Sequence, residues 1–328
     1  MRRRDFVMLV GGSVVASPLT ARAQPVRIPK VGVLWHAASA EEEAIYLGAL
    51  RQGLRDVGYV EGKTIELENR FPAEIPERFT SLAADLAALK VDVLVAVTQV
   101  AALAAQRATT TIPIVFIVVA DPVRANLVTS LARPGANITG LSSISSDLSG
   151  KRLELFKTAL SDRPRVALLV NGNDPAGAQR YIAESQAAAS RLGLTLRPVE
   201  VRGAGDFKSA FSKMSQDGVH GVVVGGDGLF FAERKQVADL ALAQRLPVMV
   251  YSRETLEAGA LMSYGPSYQV IFRRAGIYID KILRGAKPAN LPVEQPTTFE
   301  FLINRKTAKA LGITIADTAL AGADAILD

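Results

Sequence analysis

The 328-residue sequence has no cysteine, two histidines (His36 and His220) and one tryptophan, Trp35. Without cysteine there can be no disulfide, thiolate metal site or cysteine nucleophile, and no cysteine to carry a lipid at an export cleavage site. Two histidines exclude a histidine-rich metal centre, so no metal is expected. No G-x-G-x-x-G follows the first strand pattern and there is no P-loop lysine motif, so no nucleotide cofactor is indicated. A G-x-S-x-G nucleophile elbow is also missing. The one conspicuous carboxylate run, Glu41-Glu42-Glu43, falls in a predicted first helical turn, where the helix dipole accounts for it without chemistry. The chain is therefore not expected to be an enzyme.

A surplus of charge is lacking too. The formal charge of +6 is concentrated at the start, where Arg2, Arg3 and Arg4 precede an apolar run from Phe6 to Leu19. Ala21-Arg22-Ala23 then supplies the small-x-small pattern of a signal peptidase site, which places residues 1–23 as a signal peptide cleaved before Gln24. The run is too short and too rich in Gly and Ser to span a bilayer. Arg3-Arg4 followed by Phe6 also fits a twin-arginine address, although arginine pairs occur in ordinary secretory signals, and both export routes stay open. Taking four arginines and Asp5 from 38 basic and 32 acidic residues leaves 34 and 31. That is an ordinary surface with no call for nucleic acid. The mature chain is expected to be soluble in the periplasm, monomeric and not inserted in a membrane.

Short β-branched runs alternate with helical patterns along the whole chain. Strand patterns at 30–35, 64–71, 91–98, 112–119 and 138–142 enclose helices at 41–57, 76–89, 100–107 and 124–131. A second set has strands at 165–171, 194–201, 221–225, 247–252 and 260–264, with helices at 148–160, 175–192, 206–215 and 231–244. Strands apolar on both faces and separated by helices mean parallel sheets covered on both sides. The expectation is an α/β protein of two doubly wound lobes, 24–143 plus 266–328 and 144–265. The tail adds a helix at 268–283, a Pro-rich connector, a strand at 299–303 and a helix at 306–311. It is too small to fold alone.

Several segments carry a resemblance: Leu50–Lys63, Ala108–Phe116, Asp121-Pro122-Val123, Leu127–Leu141, Lys151–Leu155 and, longest, Arg273–Gly312. In order, they resemble the ABC transporter substrate-binding protein family that includes tryptophan- and tyrosine-binding lipoproteins, especially its rhizobial and proteobacterial branch. The resemblance implies a type I periplasmic-binding-protein fold with a multi-strand hinge that opens and closes. It also implies docking to an inner-membrane ABC permease. The missing lipid-carrying cysteine sets this chain apart from the anchored members. A periplasmic sensor subunit serving a membrane receptor or kinase would show the same features. A small α/β enzyme would need a convergent nucleophile–base pair.

In such sheets ligands bind beyond the carboxyl ends of the strands, at helix N-termini. The first strand ends in Trp35-His36, a candidate wall for a flat solute or equally a cluster capping the next helix. Thr98-Gln99 opens a helix, suiting a carboxylate or serving only as an N-cap. Asp121 offers charge to an ammonium group or a cap to the helix expected after it. Ser142 belongs to a small polar crossing that would line the cleft. In the second lobe the candidates are Asn171, Asp227 among glycines, Tyr251 and, at the last strand, Tyr264. The solute they suggest is small and amino-acid-like or aromatic.

Overall fold

In a computed structural model, residues 27–160 and 163–328 are described. The signal peptide read from residues 1–23 lies outside them.

The described residues form two sheets. The first half runs β1 (Lys30–Leu34), α1 (Ala44–Asp56), β2 (Glu66–Arg70), α2 (Pro76–Ala88), β3 (Val93–Val97), α3 (Gln99–Ala108), β4 (Ile114–Val119) and β5 (Ile138–Ser142). Its strands pair in parallel in the order β2-β1-β3-β4-β5. Val93–Val97 is buried at every position, as a strand covered by helices on both faces must be.

The second half runs α4 (Ser149–Ala159), β6 (Arg165–Asn171), α5 (Pro175–Leu192), β7 (Thr195–Val201), α6 (Phe207–Gln216), β8 (Gly221–Val224), α7 (Gly228–Ala232), α8 (Arg234–Ala243), β9 (Val248–Val250), α9 (Arg253–Glu257) and β10 (Met262–Gly265). The tail adds α10 (Tyr268–Leu283), β11 (Glu300–Asn304), α11 (Arg305–Leu311), α12 (Asp317–Ala321) and β12 (Ala325–Leu327). The second sheet has the order β12-β11-β10-β9-β8-β6-β7.

The tail therefore divides, where the sequence pattern had assigned all of 266–328 to the first lobe. Helix α10 does return there and lies along α1. The two backbones nearly touch: a Cβ added to Gly53 would sit 1.9 Å from the Arg273 carbonyl oxygen. The connector stays on the same lobe, where Leu141 bridges Glu294 and Thr139 donates to the Leu291 carbonyl at 2.7 Å. Strand β11 then pairs antiparallel with β10, and β12 pairs parallel with β11. The reason is an unpaired edge. The connector has covered the side of β5, whereas β10 still exposes its ladder groups, and the buried Phe301, Leu302 and Ile303 complete that sheet.

A second correction concerns 124–131, read as a helix. It folds as irregular turns, because Asn126 adopts φ +56° and the Leu127 and Val128 amides both return to the Pro122 carbonyl. The pattern at 231–244 is split as well, with α7 ending before α8 begins at Arg234.

The chain crosses between lobes three times: after β5, after β10 and before β11. Buried Arg152 on α4 ties the first two crossings together. Its Nη1 donates to the Ser145 carbonyl at 2.7 Å, Nη2 to the Ser145 hydroxyl at 3.1 Å and Nε to the Tyr264 carbonyl at 2.8 Å. Burial pushes this guanidinium's pKa down.

Candidate functional site

The carboxyl ends of β1, β3 and β4 face those of β6, β8 and β9 across a cavity of about 770 Å³, its mouth included. Such strand ends are where the chain leaves each sheet for a helix N-terminus. Two of the strand ends lining the cavity carry backbone strain. Thr98 has φ +81° and Val118 φ +57°, and the β4–β5 register shifts around Val118. Both residues are β-branched, for which positive φ is costly, and such strain collects where a site demands a particular backbone path.

Asp227 closes the end of β8. Its Oδ1 accepts from the Asn171 amide at 2.8 Å and from the Leu229 N–H at 2.9 Å, which caps α7. Burial, reinforced by the charges of Glu74 and Asp174, pushes its pKa up to about 7. Asp174 caps α5 through the Gly177 N–H and receives the Gln99 amide at 2.9 and 3.0 Å. Burial raises its pKa too. The Tyr251 hydroxyl donates to the Asp227 carbonyl at 2.9 Å, and the Tyr181 hydroxyl to the Gly226 carbonyl at 3.0 Å.

His36 sits between two carboxylates, with Nε2 3.0 Å from Glu43 and Nδ1 2.9 Å from Glu74. Burial alone would lower its pKa, but the two glutamates outweigh it and raise the value well above normal. The ring is thus an imidazolium held by its own counter-ions.

Contacts across the cleft hold the lobes together in a closed arrangement. The Tyr46 hydroxyl donates to buried Glu254 at 3.1 Å, and the Gln99 amide spans to Asp174. Arg180 reaches Asp121 at 3.8 Å. The Tyr46 and Phe231 rings lie 4.8 Å apart. Gly228 approaches so closely that an added Cβ would stand 2.5 Å from a Glu74 carboxylate oxygen and 2.8 Å from the His36 ring.

Of the residues singled out from sequence, His36, Thr98, Gln99, Asn171, Asp227 and Tyr251 line the cavity. Trp35 does not. It is fully buried in the first lobe's core, stacked between Phe71 and Phe272 with its indole N–H on Asn69. Ser142 lies behind the wall and donates to the Ala120 carbonyl. Asp121 is outside the lining, accepting from the Arg124 N–H and facing Arg180. Tyr264 packs on Phe299 in the second lobe, away from the cavity.

Helix-borne residues add to the lining, among them Tyr46, Tyr268, Phe231, Phe272 and Arg180, with Asp174 at the cap of α5. A signal for part of this set was present. Asp174, Gly177, Ala178 and Tyr181 follow i, i+3, i+4, i+7 spacing, so one face of the helix opening after β6 points into the cleft.

The model of the family described as ABC transporter substrate binding protein matches residues 30–327. The chain belongs to that family. A tyrosine-binding protein of Clostridioides difficile (strain R20291) is 26% identical over 260 residues, covering 79% of this chain and 74% of the relative. Among solved structures, a conserved domain protein of Vibrio cholerae O1 biovar eltor superposes with a TM-score of 0.86 at 29% identity, spanning 92% of this chain and 100% of that one. A Streptococcus pneumoniae ABC domain in complex with L-Trp superposes with a TM-score of 0.85 at 25% identity, with the same coverage. The fold is that of type I periplasmic binding proteins, two lobes around a cleft. ABC transporter substrate-binding proteins bind solutes and are a non-enzyme class. Among the described residues no helix is long and apolar enough to cross a membrane.

Proposed function

We propose that this protein is the periplasmic solute-binding subunit of an ABC importer, closing its lobes on a small amino-acid-like or aromatic solute for delivery to a membrane permease. The observation that carries this reading is the interlobe cavity, walled by aromatic rings from both lobes and supplied with charge at Asp227. Rings provide flat apolar area, and a few fixed polar groups set orientation. Contacts to both lobes favour the closed state because only that state makes all of them. The tyrosine-binding relative and the L-Trp-bound structural neighbour support the same solute class. His36, Thr98, Gln99, Asn171, Asp227 and Tyr251 are proposed as solute contacts, and the protein acts as a monomer. Calorimetric titration with tyrosine, tryptophan and aromatic acids tests the reading. Saturable heat with at least one of them is expected, and none with any would reject the solute class.

A further inference from the structure

The charges around the cavity are not balanced. Its cations are already taken: His36 lies between Glu43 and Glu74, and Arg180 faces Asp121 while its charge also acts on Asp147 and Asp174. Arg124 also faces Asp121, at 3.7 Å, and buried Arg152, behind the tyrosines, spends its donors on Ser145 and the Tyr264 carbonyl. Four cations (His36, Arg180, Arg124 and Arg152) thus meet six carboxylates (Glu43, Glu74, Asp121, Asp147, Asp174 and Asp227). The two lining carboxylates take their hydrogen bonds from uncharged donors among the described residues. Asp174 receives the Gln99 amide and the Gly177 N–H, and Asp227 receives the Asn171 amide and the Leu229 N–H. A buried carboxylate without a cation is costly to keep ionised.

The hydroxyls point the same way. Tyr181 and Tyr251 donate their protons to backbone carbonyls, so neither hydroxyl has a proton left for an acceptor on a ligand. Beside them stand the rings of Tyr46, Phe231, Tyr268 and Phe272, which supply apolar area; Phe272 itself is stacked between Trp35 and Tyr46. Carboxylates hydrogen-bonded only by uncharged donors, beside hydroxyls with no proton to give, are complementary to a donor-rich positive group.

From this balance we infer that the cavity selects positive charge: the solute's indispensable group is a protonated amine, seated against Asp227 and Asp174, and a carboxylate on the solute is dispensable. The ligand class is then an aromatic or alkyl amine, with zwitterionic amino acids admitted through their ammonium group. The inference rests on the solute-binding reading above and narrows it.

Three compounds that share one ring, tyrosine, tyramine and 3-(4-hydroxyphenyl)propionate, separate the charges, and putrescine supplies an amine without a ring. Calorimetry at pH 7.5 on the wild-type protein should find tyramine bound at least as tightly as tyrosine. The propionate should bind at least about tenfold more weakly, the span of a hydrogen bond to a charged group. Asp227→Asn should weaken the amines by about tenfold or more without weakening the acid, while melting no lower than wild type. Asp174→Asn should act in the same direction. If the acid binds as well as the amine, or tyrosine binds and tyramine does not, the charge selection is overturned while the aromatic reading stands. Binding of putrescine alone, lost in Asp227→Asn, upholds the charge selection and removes the aromatic part of the proposed function. No binding by any amine overturns the inference.

Discussion

Replacing Gly53 by alanine tests the helix contact that carries the tail back to the first lobe. Helices α1 and α10 run side by side with backbone against backbone, and the new Cβ would lie 1.9 Å from the Arg273 carbonyl oxygen. An ordinary carbon–oxygen contact needs about 3.3 Å, so the helices must separate by roughly 1.4 Å. The obstacle is main chain and cannot swing aside. Overpacking of this kind costs about 1–3 kcal/mol, of which alanine returns at most ~1 kcal/mol through helix propensity. A net loss of about 1–2 kcal/mol is expected, lowering the melting midpoint by several degrees in a chain of this size. Gly48, five residues earlier in α1, has nothing within 4 Å of an added Cβ. Gly48→Ala should therefore raise stability by up to ~1 kcal/mol. Urea unfolding of both variants, followed by circular dichroism, measures the difference. If Gly53→Ala proves as stable as Gly48→Ala, the close crossing is not as described. Helix α10 also places Tyr268 and Phe272 at the cavity, so its displacement should weaken solute binding in Gly53→Ala and leave Gly48→Ala unaffected.

Gly228→Ala should hold the cleft ajar, since its Cβ would strike Glu74 and His36 across the lobes. A closure penalty of about 1–3 kcal/mol gives a roughly fivefold to hundredfold loss of affinity with unchanged stability of the unliganded protein, measured by calorimetry and small-angle scattering. Asp227 holds its proton to about pH 7 when folded and only to about pH 4 when unfolded. The folded state therefore binds the extra proton between those values, and the group's contribution to stability falls as pH rises through that window. Asp227→Asn should match wild type below about pH 4 and melt increasingly higher than it from there to pH 8, as thermal unfolding across pH will reveal. Trp35 is sealed in the core, so its emission should be blue-shifted, resist iodide quenching and stay nearly constant on solute binding. Strong quenching would place it at the cavity after all.

Strand ends were legible from sequence because β-branched runs stop where loops begin. His36, Thr98, Gln99, Asn171, Asp227 and Tyr251 stand at such ends and line the cavity. Trp35 misled because strand alternation settles which face a residue takes only once the neighbouring helices are known. Here α10, more than two hundred residues away, covers that face and stacks Phe272 on the indole. Tyr46 and Tyr268 escaped notice for a related reason: each sits in an ordinary amphipathic helix, and only tertiary packing turns its ring toward the cleft. The tail's return to β10 was equally hidden, since a short apolar strand carries no label for the edge it will join.

The three crossings have a consequence for how the molecule is assembled. Neither lobe is a continuous stretch of chain: the first needs α10 and the connector, and the second needs β11 and β12. No single cut can free a lobe as a working module, and exchanging one with a relative would require three splice points. During synthesis, β10 stays an open edge until the last thirty or so residues emerge. A chain truncated before Glu300 would keep that edge permanently and offer it to a second copy of itself. The C-terminal segment thus acts as a seal on the second lobe as much as a part of its fold.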